Sequence, residues 1–307
     1  LIVNVGGAWV PTELTDTLRQ FPGFLINVIF ATLFLGVAVP KLKSFAGLIL
    51  PQLTLAQIVV WGQYAIGIGV AGFLLVPMFD VNPAFGNLLE LGFEGGHGTV
   101  GGMTPAFIAH KWEDAIPLGY TVATVGMISG IVIGMALVHW AYRKGYVKTV
   151  RPFEERSIEE RQGIHPHDAR PSAGHQTVFA DSVDSLAWHL AIVGLAVLIG
   201  YGVLVGLQRG EIGLFPEAKT RLFNGFPLFP LCMLGGVALQ GVAKLLRVDL
   251  LISRGQMQRI SGAALDYLAL SAVATIQLSV VAANWLPLTI MMVVGMIWTV
   301  TSVLFLS

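Results

Sequence analysis

The stretch that decides the fold is residues 94–102, Glu94-Gly95-Gly96-His97-Gly98-Thr99-Val100-Gly101-Gly102, in which five of the last eight residues are glycine. Apolar arms flank it, near Pro83–Phe93 and Met103–Ile108, and each arm is shorter than the roughly 20 residues that a membrane-spanning helix needs. Two half-length helices that meet at glycines are typical of a re-entrant hairpin, which would here occupy Val81–His110. The alternative is an amphipathic loop outside the membrane.

The composition around this stretch is that of a membrane-embedded chain. Of the 307 residues, 55% are apolar and only 12% are charged, and the mean hydropathy is +0.74. A soluble domain carries about 25% charged residues, so this chain has too few charges to cover its apolar mass in water. The 18 Lys and Arg residues balance the 18 Asp and Glu residues, so no charge excess predicts a nucleic-acid partner. The single cysteine, Cys232, excludes an internal disulfide.

The apolar stretches predict an all-α membrane protein in contact with the lipid bilayer. Hydrocarbon cannot satisfy backbone polar groups, so a spanning segment must be a helix of about 20 mostly apolar residues. Six stretches meet this requirement: Phe24–Pro40, Thr54–Phe79, Ala115–Tyr142, Val183–Gly206, Phe226–Leu246 and Gly262–Asn284. A seventh, Leu288–Ser307, is still apolar where the sequence ends, and we therefore expect a truncated chain.

Basic residues predict the orientation of these spans. If the hairpin enters and leaves on one face, the 18 Lys and Arg residues divide 13 to 5 between the two faces. The richer face should be cytoplasmic, so the hairpin opens to the outside and the polar linker Arg143–Ser182 lies in the cytoplasm. A hairpin that crossed the membrane completely would place this linker and the early residues Lys41 and Lys43 on opposite faces.

The linker divides the chain into a first half, residues 1–142, and a second half, residues 183–307. Its richness in Arg, Glu and His predicts a solvated, largely disordered connection. The run His165-Pro166-His167-Asp168, with His175 nearby, is the alternative of a metal site. Ordinary linker chemistry is favoured, because Pro166 holds the two imidazoles in an extended geometry without other fixed ligands.

A short internal repeat relates the two halves. Phe24–Leu35 aligns with Tyr267–Leu278 at a constant offset of 243 residues, matching Ala31-Thr32 with Ala274-Thr275. In the alternation of spans the two copies face in opposite directions. Inverted-topology repeats of this kind are typical of secondary transporters, whose binding sites lie near the bilayer centre.

The glycine run is the strongest candidate for a binding site. Irregular backbone is tolerated at membrane depth only beside a cavity or inside protein. A half-helix that begins after such a break presents N–H groups and a positive dipole end, which suit a carboxylate. The half-helix before the break ends in carbonyls, which suit a small cation such as Na⁺. The alternative is that the glycines only permit tight helix packing. A phosphate-binding loop is disfavoured, because no strand precedes this run and no Lys follows it in register.

The motif Gly95-Gly96-His97-Gly98-Thr99 at the tip of a re-entrant loop resembles the bacterial sodium/glutamate symporter family. The segments Gln63–Gly69 (QYAIGIG) and Phe30–Leu33 (FATL) support the resemblance. It implies a protein of the bacterial inner membrane with two inverted five-helix halves, each carrying one glycine-rich hairpin, joined by a cytoplasmic linker. On this template the first half is partial, and the second half is truncated and lacks its hairpin.

The resemblance implies symport of Na⁺ with glutamate or a similar anionic amino acid by alternating access, and no enzymatic activity. The expected substrate-binding residues are Gly96, His97, Gly98, Thr99, Gly101, Thr275 and Gln277. The expected Na⁺ ligands are Glu94, Gly95 and Thr32. A membrane-embedded Thr often bonds to its own helix backbone instead, and that alternative stays open for both threonines of the repeat. A homodimer also stays open.

Two positions depart from the family pattern, Val100 in place of glycine and Glu94 in place of a small polar residue. A carboxylate beside a dicarboxylate pocket would repel the substrate unless it binds a cation or a proton, or points into water. One alternative is therefore a proton- or cation-coupled transporter of a different small solute. Two others are an intramembrane enzyme that uses His97 with Glu94, and a packing or scaffold subunit.

Overall fold

The computed structural model describes residues 11–37, 42–147, 155–172, 174–217 and 221–306, with backbone alone at residues 42–46 and 48. Every regular element in these ranges is a helix. Four segments are long and apolar enough to cross a membrane: Ile49–Phe79, Ala115–Arg143, Ser185–Leu214 and Trp285–Leu306. The prediction of an all-α chain with apolar spanning helices is confirmed.

The helices are numbered in chain order. They are α1 (Thr12–Thr32), α2 (Leu42–Val70), α3 (Val76–Phe79), α4 (Asn87–Phe93), α5 (Gly96–Gly102), α6 (Thr104–Ala109), α7 (Ala115–Arg143), α8 (Ile158–Gln162), α9 (Ser185–Leu214), α10 (Phe229–Leu245), α11 (Arg254–Ala274), α12 (Leu278–Ala283) and α13 (Trp285–Leu306). A π-helical segment, Ala71–Leu75, joins α2 to α3, and 3₁₀ turns lie at Pro83–Gly86, His167–Ala169 and Asp249–Leu251.

Four predicted spans have the wrong extent. The second begins at Leu42 instead of Thr54, and the fourth ends at Leu214 instead of Gly206. The first, Phe24–Pro40, corresponds to α1, which begins at Thr12 and ends at Thr32; residues 38–40 lie outside the described ranges, as does Ser307 of the seventh span. Its polar first turns concealed the start of the helix from a search for apolar runs. The sixth, Gly262–Asn284, is interrupted, because α11 ends at Ala274 and α12 begins only at Leu278.

The break inside the predicted hairpin is also shorter than expected. The 3₁₀ turn and α4 together match the first arm, and α6 matches the second arm. The glycine run between them is itself the helix α5, so the interruption narrows to Glu94 and Gly95, whose φ and ψ stay in the right-handed helical region. Gly96, the first residue of α5, has φ of +68°, a conformation that glycine adopts without strain. Whether this segment re-enters the membrane stays a prediction.

Helices α1 and α11 pack against each other more extensively than any other described pair. Each has 21 residues, and at the repeat offset of 243 their ends agree to within one residue. They run antiparallel, because Arg254 at the start of α11 donates hydrogen bonds to the carbonyls of Thr32 and Leu33 at the end of α1, both at 3.0 Å. The inverted repeat stays a prediction, with which this antiparallel pair agrees.

Helix α5 lies in the middle of the packed helices, against α1, α7 and α11. Its Val100 is fully buried and joins a large apolar cluster with α2, α4, α7 and the start of α13. Residues 22–26 of α1 contact its opposite face, where Gly98 and Gly101 leave no room for a β-carbon. The glycine helix is therefore held on both sides.

The outward faces of the long helices are apolar. In the second half of α7 these exposed side chains are Met127, Ile128, Ile131, Val132 and Met135. Because such a surface would be costly in water, it is consistent with contact with lipid.

The described part of the linker is solvent-exposed and contains one short helix, α8. A capping box stabilises its start, with Ser157 accepting from the Glu160 N–H and the Glu160 carboxylate accepting from the Ser157 N–H. Such reciprocal caps favour a helix even without tertiary packing, which explains local order in a segment whose composition predicts disorder.

Candidate functional site

A cavity of about 620 Å³ lies where α1, the end of α5 and the start of α7 meet the gap between α11 and α12. We call it the Gln277 cavity. Its lining residues are Arg19, Gln20, Gly23, Asn27, Gly101, Gly102, Thr104, Pro105, Glu113, Asp114, Ile116, Pro117, Tyr120, Leu228, Thr275 and Gln277. Two interrupted helical segments thus border one cavity, the arrangement that places polar backbone beside a ligand in membrane carriers.

Charges of both signs line the Gln277 cavity. Arg19 supplies the positive charge, and its guanidinium lies 3.1 Å from the Asp16 carboxylate on the preceding turn of α1. Glu113 and Asp114, directly before α7, supply negative charge. A zwitterionic amino acid presents charges of both signs, so this lining is complementary to such a ligand.

Asn27 is an uncharged polar side chain of α1 that lines the Gln277 cavity. Its Nδ2 donates to the Gly23 carbonyl at 2.9 Å, which commits the donor end to the helix backbone. The Oδ1 acceptor remains for a ligand in the cavity, so Asn27 can accept a hydrogen bond from an ammonium or amide group there.

Three predicted substrate residues meet in this cavity, namely Gly101, Thr275 and Gln277. The Thr275 hydroxyl donates to the carbonyls of Ser271 at 2.8 Å and Ala272 at 3.2 Å, so the open alternative of a bond to its own helix is realised. Its oxygen can still accept. Gln277 stands in the gap, immediately before α12.

The other four predicted substrate residues, Gly96, His97, Gly98 and Thr99, do not line this cavity. The His97 ring is buried, lies 2.9 Å from the Thr124 hydroxyl of α7 and stacks with Tyr120 at a centroid distance of 6.3 Å. The Thr99 hydroxyl donates to the Gly95 carbonyl at 2.8 Å. Of these four residues, His97 packs against Tyr120, which does line the cavity.

The glycines of α5 have a packing role as well as a place in the cavity. A β-carbon on Gly101 would lie 2.6 Å from Pro22 Cβ and 3.0 Å from the Gly23 nitrogen, and one on Gly102 would overlap the Phe229 ring. The alternative interpretation, close helix packing, therefore holds at these positions together with their exposure to the cavity.

A second cavity, of about 260 Å³, lies beside Phe93 and Glu94 at the end of α4. We call it the Gln63 cavity. Its lining residues are Gln63, Phe93, Glu94, Gly126, Ser129, Gly130, Ile133, Gly134, Leu137, Met296, Thr299, Val300 and Val303. It shares no lining residue with the Gln277 cavity. Glu94 therefore faces a different cavity from the one that holds Gly101, whose own lining carboxylates are Glu113 and Asp114.

The expected Na⁺ ligands are not brought together. Glu94 lines the Gln63 cavity, whereas Gly95 lines neither cavity. Thr32 lies at the far end of α1, where its hydroxyl donates to the Ile29 carbonyl at 2.7 Å and its carbonyl accepts from Arg254. A guanidinium at that position opposes a cation, so we leave Thr32 out of the proposed sites. His97 and Glu94 likewise line no common cavity among those described.

Sequence analysis missed Arg19 and Tyr120 as lining residues. Arg19 lies before the predicted first span and was counted only for orientation, yet it is one of the few basic residues on its face, which was a usable signal. Tyr120 was missed because it sits inside an ordinary apolar span.

Spanning helices around a polar cavity built at interrupted helices define a membrane carrier. A family model described as sodium/glutamate symporter matches residues 8–307. Because the match covers nearly the whole chain, the chain belongs to the sodium/glutamate symporter family. The predicted resemblance is confirmed, and the family is one of transporters and not of enzymes. Comparisons with curated proteins and with solved structures each gave no match.

Proposed function

We propose that this protein imports glutamate or a similar anionic amino acid together with Na⁺, and that the Gln277 cavity binds the amino acid. The observation that carries the proposal is the lining of this cavity, which combines Arg19 with Glu113 and Asp114 beside two interrupted helical segments. The volume of about 620 Å³ also falls within the roughly 300–1,000 Å³ of small-molecule sites.

The position of the cavity along α7 supports import. Glu113 and Asp114 directly precede α7, and the linker follows its other end. Since α7 is long enough to span the membrane, the cavity mouth and the linker lie on opposite faces. With the linker in the cytoplasm, as the basic residues predict, the cavity opens to the outside of the inner membrane.

Movement of the bound ligands would occur by alternating access. Coupling requires that neither ligand alone permits the carrier to reorient, so the protein must distinguish the doubly occupied state from each singly occupied one. One part of the protein would move against the rest.

Uptake into liposomes tests the proposal. The full-length protein should accumulate labelled glutamate only under an inward Na⁺ gradient, and Gln277→Leu should abolish accumulation because it removes a polar group from the cavity. Gln57→Leu is the matched control, since Gln57 lies on the exposed side of α2 and lines neither described cavity. Uptake that ignores the Na⁺ gradient, or transport of another solute in place of glutamate, would refute the proposal.

A further inference from the structure

We propose that the Gln63 cavity binds the coupling cation, Na⁺, with oxygen ligands from Gln63, Glu94 and Thr299. This inference rests on the proposed function, because it locates the ion of the same transport cycle. It replaces the sequence-based set of Glu94, Gly95 and Thr32.

The charge of the residues that line the Gln63 cavity favours a bound cation. Its lining contains the Glu94 carboxylate and, among the residues named above, no Lys, Arg or His. Ser129 lines the cavity and is the central residue of α7, so Glu94 lies at the depth of the middle of a spanning helix. A carboxylate at that depth requires a partner of opposite charge.

An unpaired oxygen supplies the second, independent observation. Gln63 is 1% exposed, lines the cavity, and its Oε1 has no hydrogen-bond partner in the described part of the chain. Buried polar atoms are nearly always paired, so an orphaned acceptor beside a cavity indicates a ligand.

The hydrogen bonds of Thr299 fix which end of the Gln63 amide is unpaired. The Thr299 hydroxyl donates to the Gly295 carbonyl at 2.9 Å, so it can only accept from Gln63, whose Nε2 lies 3.0 Å away. The amide nitrogen is therefore committed to Thr299, and the oxygen is the free end.

The available ligands are all oxygens. Besides the Gln63 amide and the Glu94 carboxylate, the hydroxyls of Thr299 and Ser129 have donated their hydrogens to helix carbonyls, which leaves their lone pairs for an ion. Oxygen donors suit hard cations, and one lining carboxylate among neutral oxygens matches a single positive charge better than a double one.

The geometry also offers a route for coupling between ion and amino acid. Phe93 and Glu94 border the Gln63 cavity, and Gly101 and Gly102 border the Gln277 cavity, so both ligands contact the same short segment from α4 to α5. An ion that fixes the break at Glu94 thereby fixes the start of the helix whose end lines the amino-acid site.

The test measures Na⁺ binding without transport. The melting temperature of the purified full-length protein is recorded in detergent, without glutamate, as Na⁺ replaces K⁺ at constant ionic strength. Na⁺ should stabilise the wild-type protein. In Gln63→Met, Glu94→Gln and Thr299→Val, the half-maximal Na⁺ concentration should rise roughly ten- to a hundredfold.

Thr301→Val is the matched control, because Thr301 lies on the same helix as Thr299, does not line the Gln63 cavity, and donates to the carbonyls of Ile297 and Trp298 of its own helix. It should keep the wild-type Na⁺ response. Variants that melt lower in both salts but keep the wild-type Na⁺ response would show a purely structural role and overturn the proposal.

Two outcomes separate this inference from the proposed function. Glutamate uptake that ignores Na⁺, combined with Na⁺ stabilisation that depends on Gln63, would refute symport and leave the ion site standing. Na⁺-driven uptake combined with unchanged Na⁺ responses in all three variants would refute the ion site and leave symport standing. A wild-type protein that Na⁺ does not stabilise, with uptake that follows a proton gradient, would refute both.

Discussion

The Gln277 and Gln63 cavities flank the same segment, from α4 to α5, but their linings differ. The Gln277 cavity is larger and carries charges of both signs, whereas the Gln63 cavity is smaller and its ionisable lining is a single carboxylate. The glycine-rich segment is common to both, so the difference comes from the helices around it, α1 and the α11–α12 gap on one side and α2 and α13 on the other. The flanking helices therefore determine which ligand each cavity suits.

The largest effect is expected at the contact between α2 and the 3₁₀ turn Pro83–Gly86, which directly precedes α4. A β-carbon on Gly86 would lie 2.7 Å from the Ile68 nitrogen and would overlap the Gly67 backbone. Because backbone atoms cannot yield as a flexible side chain can, Gly86→Leu should prevent folding, measured as loss of the monodisperse peak in detergent chromatography. Gly69→Leu is the control, since a β-carbon there meets nothing within 4 Å. Normal folding of Gly86→Leu would mean that α2 and the hairpin are not fixed as described.

The next effect separates the two cavities by charge. Arg19→Gln removes the positive charge of the Gln277 cavity and should weaken glutamate binding roughly tenfold or more, measured by calorimetry, while Na⁺ stabilisation stays unchanged. Arg209→Gln, an exposed arginine that lines neither cavity, is the control. Equal losses of glutamate and Na⁺ affinity in Arg19→Gln would contradict the separation of the two sites.

A smaller effect is expected from filling the Gln63 cavity. Gly130 lines it, and a β-carbon there meets nothing within 4 Å, so Gly130→Leu can fold but occupies part of the cavity. We expect a half-maximal Na⁺ concentration in the melting assay that is several-fold higher, a smaller rise than for the loss of a ligand, because the ligand oxygens remain. Gly194→Leu on α9, also in open space, should leave it unchanged. An unaltered Na⁺ response in Gly130→Leu would contradict the location of the ion.

The smallest effect compares the two threonines of the repeat. Thr32→Val removes only a bond to its own helix backbone and should change the unfolding free energy by less than about 1 kcal/mol, without altering glutamate or Na⁺ affinity. Thr275→Val removes an acceptor that lines the Gln277 cavity and should lower glutamate affinity a few-fold. Equal glutamate affinities in the two variants would show that Thr275 does not contact the substrate.

The sequence predicted the parts of the fold that depend on apolar run length and on glycine. The spans over α2, α7 and α9 and the break before Gly96 follow from these signals. The gap after Ala274 was missed, because Thr275, Ile276 and Gln277 lie within a continuous apolar stretch and their backbone conformation depends on tertiary packing.

The site was predicted only where a local pattern marks it. Gly101, Thr275 and Gln277 were found through the glycine run and the repeat, and they share one cavity. The pairing of Gln63 with Thr299 joins residues 236 positions apart, and no spacing rule reveals such a contact. Arg19 was missed as a site residue because the predicted span began after it.

Where α1 ends, Arg254 donates hydrogen bonds to the carbonyls of Thr32, Leu33 and Leu35. The Gln240 side chain of α10 accepts a hydrogen bond from the nearby Gly36 N–H at 2.9 Å. Because one guanidinium nitrogen, Nη1, donates to all three carbonyls, the end of α1 is tethered to the beginning of α11. We expect these two helices to move as one rigid body in the proposed transport cycle. Any hinge of that cycle then lies outside this pair.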